Sequence, residues 1–192
     1  MDKIYVTNGC SNHCKNDRAD NDFYATNPKD VELLFSECKI PFSHNILEPC
    51  AGNGHIAQVF KNKGYNVKAC DLIQREYPLD QCWDFLAQQE PFDGDIVTNP
   101  PYELATEFVK KSLELIPSGN RVVMFLKLTF LESRKRRVLF NTKQLKTVYV
   151  YTNRTNCAKN GDEKLFGAGA VAYAWFEFEK DYNNDPIIKW IN

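Results

Sequence analysis

Several things are missing from this sequence, and each absence narrows what it can be. No apolar run is long enough to span a bilayer, so a helical membrane protein is excluded. There is no excess of positive charge: 24 Lys+Arg stand against 25 Asp+Glu, a formal net charge of -1. A chain that gripped nucleic acid through bulk charge would be more basic, so any such contact must come from a local patch. No signal peptide opens the chain, since Met1-Asp2-Lys3 leads into a polar stretch. The 7 cysteines are odd in number and scattered. Free thiols in a reducing, cytoplasmic compartment are therefore expected. Cys10, His13 and Cys14 form half of a zinc set at most, and a second close Cys/His pair is absent. Zinc takes four ligands, so no metal is expected and the cluster reads as part of a polar leader. There is no internal repeat or low-complexity tract.

What is present is an ordinary globular composition, with 43% hydrophobic and 26% charged residues in a chain of 192. That length suits one domain with a hydrophobic core of its own. Residues 1–22 lack periodicity and are expected to form a flexible arm. Residues 23–192 are expected to form a single domain. Asn27-Pro28 predicts a helix start, an Asn cap with Pro in the first turn. Val31, Leu34, Phe35 and Cys38 follow at helical spacing, and Pro41 closes the element.

Strands and helices then alternate. Strands are predicted at 45–48, 67–70, 81–83, 95–98, 121–126, 147–151 and 170–178. Helices are predicted around Ile56, Val59 and Phe60, ending at Gly64, and over 103–116, with Leu104, Phe108, Leu113 and Ile116 inward. This pattern implies an α/β, Rossmann-like fold: a seven-stranded, mostly parallel sheet with helices on both faces. The last two strands lack an intervening helix, so they are expected to pair as a hairpin and make one edge antiparallel. Their linker, 152–169, contains Gly161, Gly167 and Gly169. It also carries Arg154, Lys159 and Lys164, and is a candidate recognition or lid loop.

In open α/β sheets ligands bind beyond the carboxyl ends of the strands. Glu48 ends the first strand and precedes Pro49-Cys50-Ala51-Gly52-Asn53-Gly54. Glycines there permit a tight turn and a close approach of the backbone to a ligand. The third glycine of the dinucleotide pattern Gly-x-Gly-x-x-Gly is missing, and an acidic residue precedes the turn. Acidic surroundings suit a cofactor with an amino group and a sulfonium better than a pyrophosphate, which favours S-adenosylmethionine over NAD. Asp71, with Leu72 beside it, ends the second strand, where a carboxylate can accept hydrogen bonds from a ribose diol. Asp84-Phe85 follows the third strand. Its carboxylate can accept from an adenine amino group, and its ring can pack on the base. Each of these features alone is equally read as a turn, a cap or a core residue.

Asn99-Pro100-Pro101-Tyr102 is the sharpest signal. Consecutive prolines fix their own φ and restrict the residue before each. The lone pair of an exocyclic amino nitrogen is delocalised, so the nitrogen is a poor nucleophile. The Asn99 side-chain oxygen and the Pro100 carbonyl can each accept one amino hydrogen, favouring a tetrahedral nitrogen with its lone pair aimed at a methyl group. Tyr102 offers a flat face to a base removed from its stack.

With these residues the chain resembles the amino-methyltransferases that carry an (Asp/Asn/Ser)-Pro-Pro-(Tyr/Phe) motif, and among them the small DNA adenine-N6 methyltransferases of phages and prophages. The resemblance runs from about Phe23 onward and implies a class I methyltransferase fold with S-adenosylmethionine as cofactor. Phe23, Tyr24 and Thr26 fall in a segment that resembles the one folded over the methionine part of the cofactor, with Asn27 inserted before Pro28. Glu48, Pro49, Ala51, Gly52 and Gly54 resemble the glycine-loop motif. Asp71 matches the ribose-binding acid, and Asp84-Phe85 the adenine-binding pair. No separate target-recognition segment is visible, so target choice is expected from loops or a partner.

On the substrate side, Lys127 and Thr129 leave the fifth strand where a pocket would lie. Arg134-Lys135-Arg136-Arg137 can contact phosphates or form a solvated face. Trp175 and Trp190 are expected in core or edge packing. The expected partner is nucleic acid, DNA first. An RNA base, a protein glutamine amide and a non-catalytic binding module stay as alternatives. The glutamine reading is disfavoured because no added N-terminal helical domain is seen.

Overall fold

The computed structural model describes residues 24–153, 155, 158–159 and 171–192. The Cys10–His13–Cys14 cluster, the arm, Phe23, Arg154, Gly161, Lys164, Gly167 and Gly169 lie outside the described residues.

The chain opens with a short strand β1 (Tyr24–Ala25) and helix α1 (Pro28–Ser36). Asn27 caps α1 through its side chain, which accepts from the Lys29 N–H at 3.0 Å. α1 stops before Pro41 is reached, because the Cys38 N–H turns back to the Leu33 carbonyl and Lys39 adopts a φ of 52°. There follow β2 (Asn45–Glu48), α2 (His55–Asn62), β3 (Asn66–Asp71), β4 (Gln81–Cys82), β5 (Asp95–Thr98), α3 (Ala105–Leu115), β6 (Arg121–Lys127), α4 (Arg137–Phe140), β7 (Leu145–Tyr151), β8 (Ala158–Lys159), β9 (Tyr173–Glu179) and β10 (Ile187–Ile191).

The main sheet has eight strands in the order β10-β7-β9-β6-β5-β2-β3-β4. From β4 to β6 every pairing is parallel, while β9 runs antiparallel to both β6 and β7. The expected hairpin-like pair is thus present, but two expectations are corrected. The sheet has eight strands rather than seven, and the antiparallel strand lies inside it rather than at its edge. β9 is internal because it inserts between β6 and β7, and the eighth strand is β10, which pairs parallel to β7 and becomes the edge. Its residues Ile187-Ile188-Lys189-Trp190 are exposed, so no alternation of buried and exposed positions marks it as a strand.

Period-2 alternation sorts the central strands into two cores. Ile46, Val97, Val123 and Phe125 face α1 and α2, where Val31, Leu34, Ile56 and Phe60 pack. Leu47, Ile96, Val122 and Met124 face α3, against Phe108, Val109 and Leu113. Helices therefore cover both faces, as expected. Trp175 is fully buried and Trp190 is 69% exposed on the edge strand. A second, two-stranded sheet pairs β1 with β8 antiparallel, joining the segment before α1 to the linker.

At the amino end of β5, Asp95 accepts from the backbone N–H groups of Ser43 and Arg121, at 2.7 Å each, and from the Asn120 amide. The opposite, carboxyl end carries Glu48, Asp71, Asn99 and Lys127. Among the described residues no helix is long and apolar enough to cross a membrane.

Candidate active site

The site is a cleft across the carboxyl ends of β2, β3 and β5, with about 880 Å³ of empty space when its open mouth is included. Thr26, Glu48, Pro49, Ala51, Asp71, Leu72, Asp84, Phe85 and Asn99 all line it. With Pro101, which lines it too, ten residues singled out from the sequence thus meet in one place.

Glu48 is 1% exposed, and its Oε2 accepts the Ala57 N–H at 2.7 Å. The helix α2 begins on Gly54, which has no side chain to cap it. Glu48 reaches across from β2 to satisfy one of the orphan N–H groups at the helix start. Burial pushes its carboxyl well above the usual 4.5, the Ala57 N–H opposes that, and the nearby Asp71 charge adds to it. A cationic group brought into the cleft would favour the ionised form.

Gly52 and Gly54 hold φ of 53° and 76°, which a residue with a Cβ rarely adopts. The Gly54 N–H closes the turn onto the Ala51 carbonyl at 2.7 Å. The close approach expected of a ligand at Gly54 is made by the protein itself, since a Cβ there would lie 2.1 Å from the Tyr77 ring. Gly54 therefore shapes the turn and seats Tyr77. Asp71 supports the same loop: Oδ2 accepts the Gly52 N–H at 2.8 Å and Oδ1 the Ile73 N–H at 3.0 Å.

Asp84 is exposed and caps a short turn through the Leu86 N–H, at 3.0 Å. Phe85 is 3% exposed and stacks on Phe108 of α3, with ring centroids 5.3 Å apart. It forms both cleft floor and core. Trp83, at the end of the strand predicted over 81–83, also lines the cleft. Lys68 lies over its ring at 4.7 Å, and its indole N–H is buried without a hydrogen-bond partner among the described residues. The only signal in the sequence was its place next to Asp84. Cys50 and Asn53 of the glycine loop line the cleft as well, together with His55, Ile56 and Leu104, which carried no signal for it. Leu104 was expected inward on a helix but is 43% exposed. The Leu104 N–H bonds to the Pro101 carbonyl, so Tyr102–Leu104 form a tighter turn ahead of α3.

The catalytic candidate follows β5 directly. Asn99 Nδ2 donates to Thr26 Oγ1 at 3.1 Å, linking two stretches 73 residues apart. Pro100 is buried, and Pro101 is extended at φ -52° and ψ 121°. Tyr102 is half-buried: the Lys127 ammonium lies 4.9 Å from its ring centroid, and Tyr173 lies 6.0 Å away. Tyr173 in turn stacks on Phe125 at 5.2 Å. Its aromatic backing is therefore built by β6 and β9.

The remaining substrate-side residues divide. Thr129 and Arg134 are exposed, as are Lys135 and Arg137. Arg136 turns inward, donating to the carbonyls of Phe130, Thr129 and Glu132 at 2.6, 3.1 and 2.8 Å and lying over the Phe130 ring. It staples its own turn through these bonds. Tyr24 takes part in β1, beside the cleft residues Ala25 and Thr26.

The lining fits S-adenosylmethionine. Carboxylates at Glu48, Asp71 and Asp84 offer acceptors to an amino group, a diol and an adenine amine, and Leu72, Phe85 and Leu86 offer apolar surface. The buried Trp83 N–H, which has no acceptor among the described residues, lines the same cleft.

No family model matches the chain, and no curated protein matches it in sequence. Solved structures match it in fold. The methyltransferase subunit of a type I restriction-modification system from Streptococcus thermophilus aligns with a TM-score of 0.60 at 13% identity, over 88% of this chain and 47% of that one. The 23S rRNA methyltransferase ErmE aligns with a TM-score of 0.56 at 17% identity, over 85% of this chain and 71% of that one. A Lactococcus lactis protein provisionally assigned as a hemolysin aligns with a TM-score of 0.63 at 12% identity, over 86% and 94%. Against the restriction-modification subunit the chain spans about half the partner's length. The likeness is one of architecture: the chain shares the Rossmann-like α/β fold of these methyltransferases.

Proposed function

We propose that this chain is an S-adenosylmethionine-dependent methyltransferase acting on an exocyclic amino group, with adenine N6 in DNA as the acceptor. One observation carries the reading: the Asn99-Pro100-Pro101-Tyr102 turn opens onto a cleft that already gathers Glu48, Asp71 and Asp84. A proline-rich turn with no ligand role would have no reason to share a cavity with three acidic strand ends.

S-adenosylmethionine, when bound, supplies a methyl group activated by its sulfonium. Glu48 and Thr26 would hold its amino-acid end, Asp71 its ribose, and Asp84 with Phe85 and Trp83 its adenine. Asn99 Oδ1 and the Pro100 carbonyl accept the two hydrogens of the target amine, so that its lone pair points along the transfer axis. The extended Pro100-Pro101 backbone keeps that carbonyl fixed. Tyr102, backed by Tyr173, stacks the target base, a contact worth ~1–3 kcal/mol. Lys127, across the Tyr102 ring, adds a positive charge beside the base and its phosphate.

Exposed Arg134, Lys135 and Arg137, on the turn after β6, favour a nucleic-acid acceptor over a protein amide. Target choice falls to the loops at the strand ends or to a partner. Replacing Asn99 tests the mechanism. In Asn99→Ala, methyl transfer falls by about 10²–10³-fold, the usual cost of losing one preorganised polar group, while S-adenosylhomocysteine still binds. An activity indifferent to the change contradicts the assignment.

A further inference from the structure

We infer that Thr26 is a positioning residue: its buried hydroxyl fixes which end of the Asn99 amide faces the amino group to be methylated. This rests on the amino-methyltransferase reading above and adds to it a device for setting polarity.

The two ends of an asparagine amide have nearly the same shape and opposite hydrogen-bonding character. A target amine presents N–H donors. Oδ1 turned toward it accepts one, whereas Nδ2 turned toward it sets donor against donor. The backbone at Asn99 is held by the prolines that follow, but backbone restraint does not choose between the ends, because the terminal torsion of an amide is broad and two-fold. A side-chain contact has to choose.

Thr26 makes that contact. Its Oγ1 accepts from Asn99 Nδ2 at 3.1 Å, which directs Oδ1, on the other branch of the amide, away from Thr26. Thr26 is 3% exposed, so bulk water does not stand in for its hydroxyl. Its place is set from both sides, by the pairing of Ala25 with Ala158 and by the cap that Asn27 makes on α1. A hydroxyl can donate as well as accept, so it imposes a polarity only when its own proton is engaged elsewhere. Thr26 lines the cleft. An acceptor-only group there, such as the carboxylate of a bound cofactor, takes the proton and leaves Oγ1 only lone pairs to offer Asn99. Cofactor occupancy and the orientation of Asn99 are then coupled.

The test uses the full chain with Thr26→Val, which keeps the shape and loses the hydroxyl, and Thr26→Ser, which keeps the hydroxyl. Three quantities are read: kcat and KM for methyl transfer, the Kd of S-adenosylhomocysteine by calorimetry, and the ¹⁵N side-chain amide resonances of Asn99, identified by their loss in Asn99→Ala. In Thr26→Val, kcat at saturating cofactor falls about tenfold, the equivalent of one lost hydrogen bond to Asn99, while acceptor KM stays within about twofold and cofactor Kd rises by up to about tenfold, because the same hydroxyl also faces the cofactor. The Asn99 amide pair shifts or broadens in Thr26→Val, and it sharpens in wild type when S-adenosylhomocysteine is added. Thr26→Ser restores both kcat and the resonances. Unchanged Asn99 resonances in Thr26→Val overturn the inference. So does a loss of cofactor affinity that accounts for all of the lost activity, which would leave Thr26 as a cofactor contact only. If wild type methylates no acceptor, the reading of the site fails, and the amide spectrum still decides whether Thr26 orients Asn99.

Discussion

At the residue scale, two buried acids behave unlike surface carboxylates. Glu48 is held against the start of α2. Asp30, in the first turn of α1, is 7% exposed and accepts a hydrogen bond from the Thr155 hydroxyl. Burial raises its pKa from the usual 3.8 to about 6, and the bonds from Thr155 and Tyr151 only partly oppose that. Between these values the folded chain binds the proton that the unfolded chain has lost. The stabilisation is therefore full below about pH 4 and is lost as the pH rises through 6, up to about 3 kcal/mol in all. Asp30→Asn keeps an acceptor for Thr155 and removes the titration. Urea unfolding from pH 4 to 7 then shows a flatter stability profile than wild type, with the variant the more stable above pH 6. Parallel profiles would mean that Asp30 is ionised in the fold.

Trp83 offers a second test at this scale. Its buried indole N–H has no hydrogen-bond partner among the described residues, and it lines the cleft. Adding S-adenosylhomocysteine changes the tryptophan emission of wild type, and Trp83→Phe loses the change and binds about tenfold more weakly, the worth of one hydrogen bond. A response retained in Trp83→Phe would place the ligand elsewhere.

At the scale of elements, the loop from β2 to α2 is built by mutual support. Glu48 caps the helix, Asp71 holds the Gly52 N–H, and Tyr77 packs on Gly54. Gly54→Ala places a Cβ in the left-handed region and against an aromatic ring. Strain and overpacking of this kind cost roughly 1–3 kcal/mol, so the melting temperature falls by several degrees. Cofactor affinity falls with it, because the same loop carries Ala51 and Asn53 into the cleft. Trimming the ring with Tyr77→Ala in the same chain recovers part of the stability. No recovery would show that φ alone sets the cost. β10 marks the opposite case, an element held by one neighbour and exposed along most of its length.

At the scale of the whole molecule, what was legible in the sequence follows from burial. β2, β5 and β6 are covered on both faces and read as apolar runs, so their positions and the helices between them could be placed. β10 is an edge, and its pattern of Ile187, Ile188 and Trp190 with Lys189 carries no period. The place of β9 between β6 and β7 is a separate matter, a choice of neighbours that no local pattern records. In the site, Glu48, Asp71 and Asn99 were legible because each is a polar residue where a largely buried strand ends, and Asp84 because it sits beside Phe85 just past the short, exposed β4. The contact of Thr26 with Asn99, the seat of Tyr77 on Gly54 and the orphan N–H of Trp83 were not, because each depends on side chains brought together only by folding. Arg136 shows the limit of reading a charge run: four basic residues in a row are equivalent in sequence, and one of them is spent on carbonyls of its own turn.

The central claim is amino-methylation of a nucleic-acid base. It is tested most directly with tritiated S-adenosylmethionine and three acceptors in parallel: unmethylated duplex DNA, total RNA and a protein lysate. The account predicts label in DNA, recovered as N6-methyladenine after digestion and reduced by about 10²–10³-fold with Asn99→Ala. Label in RNA or protein alone would contradict the acceptor while leaving the amine chemistry in place, and no transfer to any of the three would contradict the account itself.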